Sequence, residues 1–148
     1  MKKLAKIMAT CFYLGYLPLA PGTLGGSLFG VVIYLLVVKY RALYAVTLGL
    51  LLIAAVWSAG AAEVIFNKRD DQRIVIDETL GFLIAVFLLP QTILYITLAF
   101  GLFRLFDIFK PLGIKKLQDL RGGWGVVADD VAAGLLANII LQIVKRII

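Results

Sequence analysis

Histidine is absent from the 148-residue chain, and Cys11 is the only cysteine. The first absence removes histidine-nucleophile chemistry, the serine–histidine triad and histidine metal ligands together. The second excludes an intrachain disulfide and a cysteine metal cluster. Cys11 itself lies among apolar residues and reads as a buried, inert thiol. Charge is also scarce: Asp, Glu, Lys and Arg make up 16% of the residues, against about a quarter in a soluble globular chain. Internal repeats, low-complexity tracts and extramembrane domains are missing. Lys2, Lys3 and Lys6 precede an apolar stretch, but Gly15 and Pro18 break it and Pro21-Gly22 come next, so a cleavable signal is not expected.

What the chain has is hydrocarbon. Hydrophobic residues make up 62% and the mean hydropathy is +1.00. These values predict a small polytopic membrane protein, with residues 1–148 forming one membrane-embedded domain. A soluble protein with a very apolar core is the competing class. The net charge of +6 is not accompanied by a basic helix or an aromatic-basic sheet signature, so no nucleic-acid partner is expected. Attraction to anionic membrane lipids accounts for it more simply.

The expected architecture is all-α: a bundle of about four to five membrane helices plus an N-terminal interfacial helix. Residues 1 to 17 suit a helix lying at the bilayer surface. Pro18 to Ser27 reads as loop, with Thr23 placed to N-cap the first apolar helix. Apolar helices are expected over Leu24–Val38, Leu43–Ala62 (prolonged toward Phe66), Ile74–Leu89, Gln91–Phe109 and Val131–Val144. Asn67 to Arg73 reads as a solvated loop. Several of these runs are shorter than the roughly 20 residues that cross a bilayer comfortably. That fits helices whose ends leave lipid to line a polar site.

Alternate threading of the five helices puts the N-terminus, the 67–73 loop and the 110–130 segment on one side. Ten basic residues fall there: Lys2, Lys3, Lys6, Lys68, Arg69, Arg73, Lys110, Lys115, Lys116 and Arg121. Four, Lys39, Arg41, Lys145 and Arg146, fall on the other. The positive-inside rule makes the first side cytoplasmic, and the same threading places all nine acidic residues at or near it.

The run from Phe103 to Gly134 concentrates this charge, with Asp107, Asp119, Asp129 and Asp130. Arg104 and Lys110 each stand three residues from Asp107, within reach on a helix. Pro111 ends that helix, Gly122-Gly123-Trp124-Gly125 reads as a turn, and Asp129-Asp130 open the next apolar segment. Three acidic clusters therefore come from three helix ends: Asp77-Glu78, Asp107 and Asp129-Asp130. Crowded carboxylates repel unless they hold a cation or pair with bases. Oxygen ligands without histidine or cysteine favour Mg²⁺, Mn²⁺ or Ca²⁺ over zinc. Bases beside such a metal would make a pocket for phosphate.

Each piece has a second reading. Asp129-Asp130 and Asp77-Glu78 would serve as caps complementing helix dipoles. Arg104 and Asp107 would form a structural ion pair. Asp70 and Asp71 would be solvated, and Thr23 only an N-cap. Glu63 is harder to dismiss, because its neighbours are apolar. Taken together, the residues point to a metal-assisted site for a phosphate-bearing lipid.

Four motifs narrow this. APGTLGGS (Ala20–Ser27), IVIDETLG (Ile74–Gly81), FRLFDIFKP (Phe103–Pro111) and GGWGVVADDVAAG (Gly122–Gly134) resemble, in order, those of the phosphatidylglycerophosphatase A family of bacterial membrane lipid phosphatases. Gly113 replaces a proline common in that family, and the Gly25-Gly26 doublet is longer than usual; neither touches a charged position. The resemblance implies Mg²⁺-dependent removal of the phosphomonoester from phosphatidylglycerophosphate, at the cytoplasmic side of the bacterial inner membrane. It implies Asp77, Glu78, Asp107, Asp129 and Asp130 as the metal and catalytic set. Arg104 and Lys110 would grip the phosphate, with Thr23 a weaker contact. Metal-assisted in-line attack by water is the expected mechanism, with an aspartyl-phosphate intermediate as its competitor.

Other classes make different demands. The phosphatidyltransferase pattern of Asp-Gly and Ala-Arg with spaced glycine and aspartates after them is missing, as is an aspartate-x-aspartate phosphatase loop. Another lipid phosphatase or phosphotransferase remains the nearest alternative. A transporter would hold its charges near the midplane of a repeated fold, and a non-catalytic subunit would need its acids only for assembly.

Overall fold

The computed structural model describes residues 1–18 and 21–147. Leu19 and Ala20, within the expected Pro18–Ser27 loop, and Ile148 lie outside the described residues. All regular structure among the described residues is helical: α1 (Lys2–Ala9), α2 (Ser27–Val37), α3 (Arg41–Phe66), α4 (Ile76–Val86), α5 (Ile93–Phe109) and α6 (Gly123–Ile147). Short 3₁₀ segments cover Leu14–Tyr16 and Pro111–Asp119, and a π-type turn covers Gly22–Gly26.

Some boundaries differ from the sequence expectation. Helical winding already covers Gly22–Gly26, so Thr23 lies inside it and does not cap α2. The fifth apolar helix begins at Gly123, not Val131, which leaves only Gly122, at φ +60°, in the turn. Asp129 and Asp130 thus sit well inside α6, too far from its N-terminus to cap it.

The helix at the centre is α4. Nine of its eleven residues are buried, so it has no face left for solvent or lipid. At about 1.5 Å per residue it is also only ~16 Å long, and its C-terminal carbonyls end inside the protein. Buried carbonyls need partners, and other helices supply them. Asn138 donates to the carbonyls of Ala85 and Phe87 at 3.0 and 2.7 Å, and Gln142 to that of Phe87 at 3.2 Å. Tyr44 donates to the Leu83 carbonyl at 2.8 Å. Glycines let α4 meet α6 backbone to backbone: a Cβ on Gly134 would collide with the Gly81 carbonyl, and one on Gly81 with Phe103.

Two helices, α3 and α6, are long and apolar enough to cross a membrane. Their outer faces are apolar as well. Leu43, Val46, Leu50, Ile53, Trp57 and Val64 form an exposed stripe at helical spacing along α3, and Leu135, Ile139 and Ile143 form one along α6. A soluble protein places polar residues there; contiguous exposed apolar surface of this kind marks contact with lipid or protein. Beneath these stripes, Tyr34, Tyr44, Phe82, Leu83, Phe103 and Leu141 fill one cluster, and Ala55, Ala59, Ile76, Leu80 and Val127 another.

The N-terminal helix packs on the end of α3. Arg73 stacks on the Phe66 ring at 3.9 Å from its centroid, and Lys6 lies 5.8 Å from the same ring. Cys11 is buried against Thr79, with Sγ 3.4 Å from Oγ1, and burial pushes its thiol up to about 12, which keeps it protonated.

Candidate active site

The first turn of α4 brings Asp77 and Glu78 to one end of the bundle. The last turns of α5, running the opposite way, bring Arg104 and Asp107 there. Lys110 takes a left-handed conformation (φ +46°) where α5 stops before Pro111, and this turns the chain off the α5 axis. Asp129 and Asp130 enter from α6.

Asp77, Glu78, Asp107, Lys110, Asp129 and Asp130 meet in one cavity of about 180 Å³, lined also by residues of the 70–72 turn. Carboxylate oxygens of Asp107, Asp129 and Asp130 lie within 4.8 Å of one another. Asp77, Asp129 and Asp130 are only 5%, 3% and 3% exposed, far below what an unpaired surface acid shows. Arg104 bridges two of the elements: its Nη1 is 2.8 Å from Asp107 Oδ2 and 3.6 Å from Glu78 Oε1. Lys110 pairs with Asp129 and lies 4.0 Å from Asp107 Oδ1. Burial works against the Lys110 ammonium, yet its hydrogen bond to Asp129 and the nearby carboxylates hold its pKa above the ordinary lysine value.

Six of the eight residues singled out from the sequence therefore line one cavity, and Arg104 pairs with two of them; the close carboxylate group takes in Asp107, Asp129 and Asp130 but not Asp77 or Glu78. Thr23 does not join them in the acidic cavity; it lines an apolar groove beside it, between α2, α4 and α5. Its segment nevertheless packs against the site, since a Cβ on Gly22 would occupy the place of the Glu78 carboxylate.

Sequence reasoning overlooked the 67–73 turn. Asp71, expected in a solvated loop, is 5% exposed and lines the cavity with Asp70. Arg73 holds it through Nε and Nη2 at 2.7 and 3.0 Å, and these hydrogen bonds keep the Asp71 carboxyl below its usual value. The bidentate fork spans two residues in sequence, a short Asp-x-Arg signal inside a stretch that otherwise looks merely polar. Glu63 accepts from the Asp70 N–H at 2.9 Å and lines the adjoining space with Asp119. All nine acids of the chain thus line this cavity or its neighbour.

The donor set suits a hard divalent cation. Five carboxylates, Asp77, Glu78, Asp107, Asp129 and Asp130, face two cationic side chains, an excess of negative charge that such an ion offsets. Asp129 Oδ1 and Glu78 Oε2 are buried oxygens with no hydrogen-bond partner among the described residues, and a buried polar atom left this way calls for a ligand. Arg104 and Lys110 beside them would meet phosphate oxygens.

An apolar helical shell around an oxygen-rich, histidine-free site with flanking bases defines a membrane-associated phosphatase. Residues 7–145 match the family described as Phosphatidylglycerophosphatase A, and the chain belongs to that family. Proteins named phosphatidylglycerophosphatase A from Haemophilus influenzae and Escherichia coli are 32% and 28% identical to it. Those alignments cover 91% and 93% of this chain, and 85% and 81% of the relatives. A Bacteroides thetaiotaomicron protein, provisionally named a phosphatidylinositol-3-phosphatase, is 35% identical over 96% of this chain and 94% of its own. No solved structure matches the chain. Family and relatives make it a phosphatase of phosphatidylglycerol lipid metabolism.

Proposed function

We propose that the chain is a single membrane-embedded domain that hydrolyses the phosphomonoester of phosphatidylglycerophosphate to phosphatidylglycerol and inorganic phosphate, with Mg²⁺ as cofactor. The observation that carries this reading is the meeting of Asp107, Asp129 and Asp130 oxygens within 4.8 Å beside Arg104 and Lys110. Asp107, Asp129 and Asp130, with Asp77 and Glu78 behind them, would hold the ion. Bound there, Mg²⁺ would polarise the phosphoryl group and lower the pKa of a bound water.

Arg104 and Lys110 bind the remaining phosphate oxygens and neutralise charge that develops as the bond to the glycerol oxygen breaks. A carboxylate of the set takes the proton of the attacking water, and the departing glycerol oxygen regains one. Burial of the carboxylates limits competing solvent, so the bases act at low local dielectric. The bilayer is the second substrate-binding element: α2 to α6 would sit in it as a polytopic bundle and α1 on its surface. The acidic end would face the cytoplasm of a bacterial inner membrane, an orientation that the ten-to-four bias of basic residues supports.

The test is phosphate release from phosphatidylglycerophosphate by detergent-solubilised protein, with and without Mg²⁺ and with Asp129→Asn. We expect release to need Mg²⁺ and to fall by about 10²-fold or more in the variant. Release indifferent to chelator or to the substitution would reject the reading. The name of the Bacteroides relative favours a second substrate, phosphatidylinositol 3-phosphate. The same assay run with both lipids separates the two by their kcat/KM.

A further inference from the structure

Beside the acidic cavity lies a groove of about 340 Å³ that the proposed chemistry does not use, lined by Thr23, Ser27, Val31, Phe82, Ile96 and Phe100. Its exposed lining is almost entirely hydrocarbon, and Leu28 and Thr97 stand exposed at its opening. The groove neighbours the charged site along two helices. On α4, Phe82 lies one turn beyond Glu78; on α5, Phe100 precedes Arg104 by one turn and Ile96 by two. On the third wall, Gly22 and Gly26, next to Thr23 and Ser27, lie against Glu78. From Arg104 to Ile96 the axial distance is about 12 Å, less than half of a ~30 Å hydrocarbon core. Ser27 contributes a buried hydroxyl with no hydrogen-bond partner among the described residues, at the α2 end nearer the charges.

We infer that this groove holds the first part of one acyl chain of the lipid whose phosphate enters the acidic cavity, and so fixes the headgroup in register with Arg104. The inference rests on the lipid-phosphatase reading and adds a second point of attachment to it. Phosphate and chain would occupy neighbouring spaces of opposite character, as a lipid's own two ends do. A chain leaving the bilayer for this groove exchanges one apolar surrounding for another, so the gain is in position and not in transfer free energy. The short depth sets a specific expectation. Chains too short to fill the groove lose rate, whereas lengthening a chain beyond it changes little.

Two measurements test this. The first uses phosphatidylglycerophosphate with a diazirine near the ester end of one acyl chain, and a diazirine phosphatidylcholine as control. Crosslinks to Leu28, Val31, Phe82 and Phe100 are expected from the first lipid and not from the second. Equal labelling by both, or labelling confined to the outer stripes of α3 and α6, would overturn the proposal.

The second compares dihexanoyl with dipalmitoyl substrate in wild type, Thr97→Trp and Leu98→Trp. Thr97 is exposed at the groove, and Leu98 is exposed on the opposite side of the same helix, so neither change disturbs packing. Filling the groove should cut kcat/KM for the dipalmitoyl lipid about tenfold, shrink its advantage over the dihexanoyl one, and leave Leu98→Trp at wild-type values. Loss of equal size on both substrates would contradict the inference. Groove crosslinks without phosphate release would reject the catalytic reading and leave the lipid groove standing. Phosphate release without groove crosslinks would do the reverse.

Discussion

Arg73 and Asp71 illustrate how a residue outside the catalytic motifs shapes the cavity. Two guanidinium nitrogens grip the carboxylate, and the same guanidinium lies flat on Phe66 at the end of α3. This fixes the turn that carries Asp70 and Asp71 to the cavity rim. Because the Asp71 carboxyl titrates below its usual value, the pair stabilises the fold wherever an unfolded aspartate would be ionised, above about pH 4. That contribution is lost as pH falls through the depressed value. Asp71→Asn should therefore lower stability by roughly 1 kcal/mol at neutral pH, the guanidinium being partly solvated. The gap between variant and wild type should close on acidification below about pH 4. Thermal midpoints in detergent across pH check this, and a gap that widens in acid would contradict it. Asp71 was hard to see in the sequence because its burial depends on Arg73 and Phe66 meeting in space. Asp107 was legible because Arg104 stands one turn before it on the same helix and Lys110 follows where that helix stops before Pro111.

Among the elements, α4 carries the most consequence. It is short, buried on all sides, and capped at its C-terminus by side chains of α3 and α6. Its N-terminus delivers Asp77 and Glu78, and its height against α6 is set where Gly81 meets Gly134. Gly81→Val would force a β-branched side chain into Phe103 and the Asp130 carbonyl, separating α4 from the helices that hold Asp107 and Asp129. The expected outcome is loss of phosphatase activity by about tenfold or more with helical content near wild type by circular dichroism. Full activity would show that the α4–α6 spacing does not position the site. Apolar runs and the prolines gave the helices their approximate places. The start of α6 was not legible, because Gly122-Gly123-Trp124-Gly125 has turn composition, whereas in the fold Gly123 opens the helix packed against the Val56 carbonyl of α3.

At the scale of the whole molecule, the chain separates two kinds of surface. The acids gather at one end, and the long faces of α3 and α6 present hydrocarbon. Threading the sequence brought the acids to one side because charge is costly in lipid, so few arrangements of five apolar segments remain once charges are kept at the ends. The groove between α2, α4 and α5 was not legible in this way, since an apolar residue lining a cavity looks the same as one packed in a core. The proposed chemistry therefore rests on the convergence of carboxylates from α4, α5 and α6, and Mn²⁺ binding monitored by electron paramagnetic resonance tests that most directly. Wild-type protein in detergent should bind Mn²⁺ saturably, Mg²⁺ should displace it, and Asp107→Asn and Asp129→Asn should each weaken binding by about tenfold or more. Mn²⁺ binding of equal strength in wild type and both variants, or none in the wild type, would contradict that convergence.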